Sequence, residues 1–180
     1  VVLDARQPLA PFVAWAQAGR AHGARMWMQI NHPGRQVYAK TNPEAIAPSA
    51  VPVEMGRYSK LFTPPRAMTQ DDIRRVIDQF ATTAERAERA GFDGVEIHAA
   101  HGYLLSQFLS PLTNRRGDDW GGSLENRARI LIDEEAEDLA ALEGPCRRDE
   151  LARAAREDLD VDGLAQVVEL GFPIGQSLGL

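Results

Sequence analysis

Apolar residues recur at helical spacing in three stretches of the chain and form short, nearly continuous runs in two others. Leu9, Phe12, Val13 and Ala16 predict a helix over residues 8–22, with Pro8 in its first turn and Gly23 as its stop. Arg25-Met26-Trp27-Met28-Gln29-Ile30-Asn31 follows, short and mostly apolar, the form of a strand buried on both faces. His32-Pro33-Gly34 ends it, because proline removes a donor and glycine permits a turn. Ile73, Val76, Ile77, Phe80, Ala84 and Ala87 make one apolar stripe, the clearest helix in the sequence. Thr69 opens it with Asp72 in a capping-box spacing, although Asp stands where Glu is usual, and Gly91 closes it. Asp93-Gly94-Val95-Glu96-Ile97-His98 reads as a second strand, and Ser123 is placed to cap a third helix through Glu125, Asn126 and Ile130.

Two long connections separate these elements, residues 32–68 and 99–120, both containing Pro and Gly. Connections of that length inside a compact domain usually carry function or are disordered. The order helix, strand, loop, helix, strand, loop, helix argues for an α/β fold with a parallel sheet. Ligands of such folds gather on the loops that leave the strands' C-terminal ends. Gln29, Asn31, His32 and Arg35 stand at the first such end, and His98, His101 and Tyr103 at the second. They are expected to face one mouth.

Composition narrows the class without fixing the chemistry. The chain has 180 residues, 44% hydrophobic and 26% charged, the profile of an ordinary globular protein. A single cysteine, Cys146, precludes an internal disulfide framework and suits a reducing, cytoplasmic setting. No apolar run approaches the ~20 residues of a membrane span. Residues 134–180 hold 12 acidic residues against 4 arginines, whereas the preceding part holds 14 acidic against 16 basic, a tail of −8 on a body of +2. A body so weakly charged gives no electrostatic reason to expect nucleic acid. The start, Val1-Val2-Leu3-Asp4, has no basic region and no initiator Met, and reads as an internal cut.

His98-Ala99-Ala100-His101-Gly102-Tyr103 is the densest cluster of chemistry-bearing side chains. Two imidazoles and a phenol offer donors near one point, able to polarise a carbonyl oxygen and to deliver a proton. The same residues admit a plain structural role, with His capping a strand-end carbonyl and Tyr anchoring the loop. A metal site at His98 and His101 is a further reading, with Glu96 on the same strand face as a third ligand. Cys146 lies in the acidic tail with no motif for a nucleophile around it. Gln29 can donate to and accept from the edge of a heterocycle, although a lone Gln is more often a satisfied polar residue. Arg115, Arg116, Asp118 and Asp119 read as a solvated turn with local ion pairs, and Trp15, Trp27 and Trp120 as packing residues. Gly91-Phe92-Asp93-Gly94 precedes a strand rather than a helix, so it is not a dinucleotide fingerprint.

The run from Gly91 through Val95-Glu96-Ile97-His98-Ala99-Ala100-His101-Gly102-Tyr103 to Gln107-Phe108-Leu109-Ser110-Pro111 resembles the signature of the Old Yellow Enzyme family. The resemblance continues through Asn114, Arg116, Asp118, Gly121-Gly122-Ser123, Glu125-Asn126-Arg127 and Arg129. Gln29-Ile30-Asn31-His32-Pro33-Gly34-Arg35 is similar to the family's flavin-contacting strand end. The resemblance implies a (β/α)8 TIM-type barrel that holds FMN and reduces activated C=C bonds with NAD(P)H. It also implies that Gln29 hydrogen-bonds the isoalloxazine, and that His98 and His101 bind the oxygen of an enone-type small molecule. Tyr103 would then protonate the carbon α to the carbonyl. His at both positions resembles the bacterial branch of the family, and Arg127 and Arg129 read as scaffold residues at a helix start.

A barrel of this type needs ~250 residues, more than this chain holds. The expected fold is therefore a partial (β/α)8 barrel over residues 1–133, truncated at both ends, followed by a divergent, acidic tail over 134–180. Residues 148–159 and 163–170 are expected to form short helices in that tail. The strand with a basic flavin contact and the glycine-rich phosphate loops have no visible counterpart, so weak or absent FMN binding is expected. A truncated or frame-shifted gene product is the favoured origin, and an inactive fragment is the alternative function.

Overall fold

The computed structural model describes residues 2–132 and 169–173. Helix α1 (Ala10–Gly19) leads through a short 3-10 turn to strand β1 (Trp27–Ile30). An excursion follows, containing two-residue strands β2 (Ile46–Ala47) and β3 (Arg66–Ala67), paired in parallel. Helix α2 (Gln70–Ala90) then returns the chain to strand β4 (Gly94–His98), which lies parallel to β1 with Gln29 opposite Glu96. Helices α3 (Leu104–Leu109) and α4 (Leu124–Ile132) come next, and strand β5 (Glu169–Pro173) completes the order β1-β4-β5.

The helix α2 forms for the reasons its sequence shows. The Thr69 hydroxyl accepts from the Asp72 backbone N–H at 3.1 Å, and the Asp72 carboxylate accepts from the Thr69 N–H at 2.9 Å, a complete capping box despite the shorter acid. Gly91 ends the helix with φ of 90°, a left-handed conformation that glycine adopts without penalty. Ile73, Val76, Phe80, Ala84 and Ala87 are buried against Met28 and Ile30 of β1 and Val95 and Ile97 of β4. Asp93 locks the two α/β units together. Its carboxylate accepts from the Met26 N–H and pairs with Arg20 and Arg25, which holds it below the usual carboxylate range, the Met26 bond contributing most.

Four expectations need correction. The strand β1 is buried on one face only: Met28 and Ile30 are sealed under the helices, whereas Trp27 is 41% exposed and Gln29 is exposed. Its apolar run concealed a period of two, since a tryptophan occupies an open position. The sheet is not wholly parallel, because β5 pairs antiparallel with β4. Residues 169 and 170, expected at the end of a helix, lie in that strand, where the free edge of β4 supplies backbone partners no local pattern predicts. The rest of residues 148–170 lies outside the described residues. Arg116, expected in a solvated turn, is nearly covered: it pairs with Asp118 and donates to the carbonyls of Pro48 and Met68. Arg127 and Arg129 serve the scaffold as expected, Arg127 donating to the Leu109 carbonyl and Arg129 to that of Asp119.

Candidate active site

Alternate residues of the sheet point to opposite sides. On β1 and β4 the face away from the helices carries Trp27, Gln29, Glu96 and His98. His98 ends β4 and is buried, with 4% of its surface exposed. The chain then turns sharply, with His101 at φ 54° and Gly102 at φ 71°. That turn brings His101 Nδ1 to 3.2 Å from His98 Nε2, and places the Tyr103 ring centroid 5.4 Å from that of His98. Tyr103 is the residue that caps the N-terminus of α3, whose six residues are all buried, so the phenol stands on a fixed base.

The imidazole pair has a chemical consequence. In a neutral pair one of the two facing nitrogens donates and the other accepts. Two N–H groups directed at one ligand oxygen would therefore replace the direct bond between the rings. His98 Nδ1 is buried with no hydrogen-bond partner among the described residues.

Gln29 donates from Nε2 to Glu96 Oε1 at 2.7 Å across the strand pair. It lies on the same face as His98, and Glu96 stands between them in register. Of the remaining first-loop residues, Asn31 is exposed at the end of β1, and two others are turned to other work. His32 Nδ1 accepts from the Gly34 N–H at 3.1 Å, and its ring lines a cavity of about 200 Å³ with Asn42, Glu44 and Arg75. Burial, with the Arg75 charge beside it, pushes its pKa down to about 4. Arg35 donates to the carbonyls of Val51 and Pro52 and so braces the excursion. Thus His98, His101 and Tyr103 come together with Gln29 on their face, while His32 and Arg35 do not join them. Among the described residues no three His, Cys, Asp or Glu side chains gather closely enough to hold a metal ion. Glu96, the third ligand a metal would use, is bonded to Gln29.

Sequence reasoning missed Gln36 and Gln107. Gln36 Nε2 donates to the His101 carbonyl at 2.8 Å, and Gln107 Nε2 to that of Gly102 at 2.6 Å. A signal existed for Gln107 alone: a polar residue inside an otherwise apolar run, Leu104 to Leu109, broken only by it and Ser106.

The parallel β1–β4 unit, with donors gathered at its strand ends, is an α/β arrangement that many families share, and comparison with known proteins identifies which one. The model of the NADH:flavin oxidoreductase / NADH oxidase family matches residues 6–134, and the chain belongs to that family. The chain is 48% identical over 122 residues to the NADH-dependent flavin oxidoreductase nadA of Aspergillus parasiticus, covering 68% of this chain and 28% of that protein. It is 46% identical over 112 residues to an NADPH dehydrogenase of Clostridium acetobutylicum, covering 62% of this chain and 31% of that one. Among solved structures it resembles morphinone reductase, with a TM-score of 0.66 and 37% identity over 76% of this chain and 40% of that one. It is similar as well to the old yellow enzyme homologue of Zymomonas mobilis, at a TM-score of 0.66 and 35% identity over 73% of this chain and 39% of that one. The chain spans about a third of the length of these curated relatives. The described residues accordingly form part of the family's fold, without a closed barrel. No helix among them is long and apolar enough to cross a membrane.

Proposed function

We propose that this chain carries the substrate clamp and the proton donor of an FMN-dependent oxidoreductase that reduces activated C=C bonds with NAD(P)H. The observation that carries the reading is the His98–His101 contact of 3.2 Å with Tyr103 beside it, on the face that also bears Gln29. The donor set fits the cofactor. Gln29 spends one amide N–H on Glu96 and keeps its carbonyl oxygen for the edge of a flavin ring, on an open face. Reduced FMN, when bound there, supplies a hydride to the β carbon of the alkene, and NAD(P)H is the reductant consumed.

The protein's own part is electrostatic and acid–base. His98 and His101 each turn an N–H to the oxygen of an enone or related small molecule, and drawing electron density toward that oxygen makes the β carbon electrophilic. Tyr103 gives its phenolic proton to the α carbon, and solvent at the mouth restores it. The alkene thereby gains one hydride and one proton, while NAD(P)H becomes NAD(P)+. Residues 1–133 carry the proposed site, and strand β5 of the acidic segment 134–180 pairs with the strand that bears His98. The weakly charged body and the single cysteine support a small-molecule substrate, rather than nucleic acid, and a cytoplasmic setting.

Titration of the purified chain with FMN, followed by quenching of flavin fluorescence, tests the reading. Addition of NADPH and then 2-cyclohexenone should bleach and restore the bound flavin's absorbance. The alternative is a chain that binds no flavin and reduces no enone. Absence of quenching and of enone turnover at saturating FMN establishes that reading instead.

A further inference from the structure

The turn that bears the imidazole pair is held from outside itself. His101 and Gly102 are consecutive left-handed residues, and a non-glycine residue persists in that conformation only where its surroundings impose it. Their two carbonyls each accept a hydrogen bond from a glutamine amide: His101 O from Gln36, 65 residues away, and Gly102 O from Gln107 in the helix that follows the turn.

The two amides share an anchor. Gln107 is 1% exposed, and its Oε1 accepts from the Arg35 N–H at 3.2 Å while Nε2 also reaches the Pro33 carbonyl at 3.3 Å. Gln36 donates its own backbone N–H to that same Pro33 carbonyl at 3.0 Å, and the Leu104 N–H bonds the His32 carbonyl at 2.9 Å. A Cβ on Gly34 would collide with the Gln107 amide, so the approach of the two segments depends on glycine there. The segment that leaves β1 therefore grips the turn that leaves β4.

We propose that Gln36 and Gln107 are positioning residues of the site, fixing the turn so that His101 meets His98 and Tyr103 stands beside them. An amide is suited to Gln107's place because it donates to two carbonyls and accepts from an N–H at once. A carboxylate would set negative oxygen against carbonyl oxygen, and methionine would fill the space without a donor. This role rests on the reading of His98, His101 and Tyr103 as the substrate clamp, although the grip itself does not.

The experiment records imidazole nitrogen spectra of the full chain labelled with ¹⁵N-histidine, beside circular-dichroism melts. The parent should show His98 and His101 each held in one tautomer, one facing nitrogen donating and the other accepting. Gln107→Met and Gln36→Met should each fold, lose that complementary pattern and leave His22 unchanged. Gln36→Lys, which keeps a donor, should retain it. If Gln107→Met fails to fold, Gln36→Met decides, because Gln36 is only half-buried. Retention of the paired pattern in the Met variants overturns the proposal. With FMN and 2-cyclohexenone, KM should rise about tenfold to a hundredfold in the Met variants but not in Gln36→Lys, while bleaching by NADPH is unchanged. Loss of the pattern in the variants, with no enone turnover by the parent, overturns the clamp reading and leaves the grip standing.

Discussion

The two faces of the β1–β4 pair are built from alternate residues of the same nine positions, and they do opposite things. Met28, Ile30, Val95 and Ile97 lie under α1 and α2 in a continuous apolar core. Trp27, Gln29, Glu96 and His98 face the other way, three of them polar and all but His98 at least partly open to solvent. Neighbouring residues thus meet different environments, and stability and chemistry are separated by one step along the backbone. The period of two allows the site to change without disturbing the packing that carries it.

Breaking the packed face should have the largest effect. Val95 is fully buried, and Val95→Asp would place a carboxylate in the core without a partner, costing more than about 4 kcal/mol. Loss of a cooperative melt by circular dichroism is the expected result. On the open side, Tyr103→Phe removes the proposed acid. It should slow enone reduction by about a hundredfold or more, with an unchanged melting temperature and unchanged bleaching by NADPH.

A third prediction concerns His32, the polar residue at the end of β1 that did not join the open face. Its pKa falls from the ordinary value near 6.5 to about 4 on folding, because burial and the Arg75 charge disfavour the imidazolium. The unfolded chain binds the proton first as pH falls, so stability declines between pH 6.5 and 4 and is largely intact above pH 6.5. The decline should reach about 3 kcal/mol in denaturant titrations, and His32→Gln should flatten that part of the profile. Trp27→Ser should have the smallest effect, below about 1 kcal/mol, since the residue is already 41% exposed. Equal costs for Val95→Ala and Trp27→Ser would erase the distinction between the faces.

How much of this was legible in the sequence depends on whether a feature is local. The helix α2 was readable from Thr69 to Gly91 because its cap, stripe and stop lie on one continuous segment. The grouping of His98, His101 and Tyr103 was readable because six consecutive residues carry it. The helix α3 was not, since all its residues are buried and no polar face marks a period. Strands β2 and β3 are two residues each and exist only through backbone bonds across some twenty intervening positions. Gln36 and Gln107 were hidden for the same reason: each acts on a carbonyl more than a turn away, and Gln36 reaches across 65 residues. His32 and Arg35 had the right chemistry and the right strand end, but their side chains were claimed by Gly34 and by Val51 and Pro52.

The separation of 67 residues between Gln29 and Glu96 has a consequence for the order of synthesis. A ribosome adds residues at ~5–20 per second, so β1 waits several seconds for β4 after it leaves the tunnel. Throughout that interval Met28 and Ile30 have no strand beside them and only α1 nearby. The helix α2 can form from its own sequence as soon as it emerges, and β4 follows it directly through Gly91 and Asp93. Nascent α2 and β4 thus close on a strand made much earlier. The vulnerable moment in the life of this fold is the delay that precedes that closure.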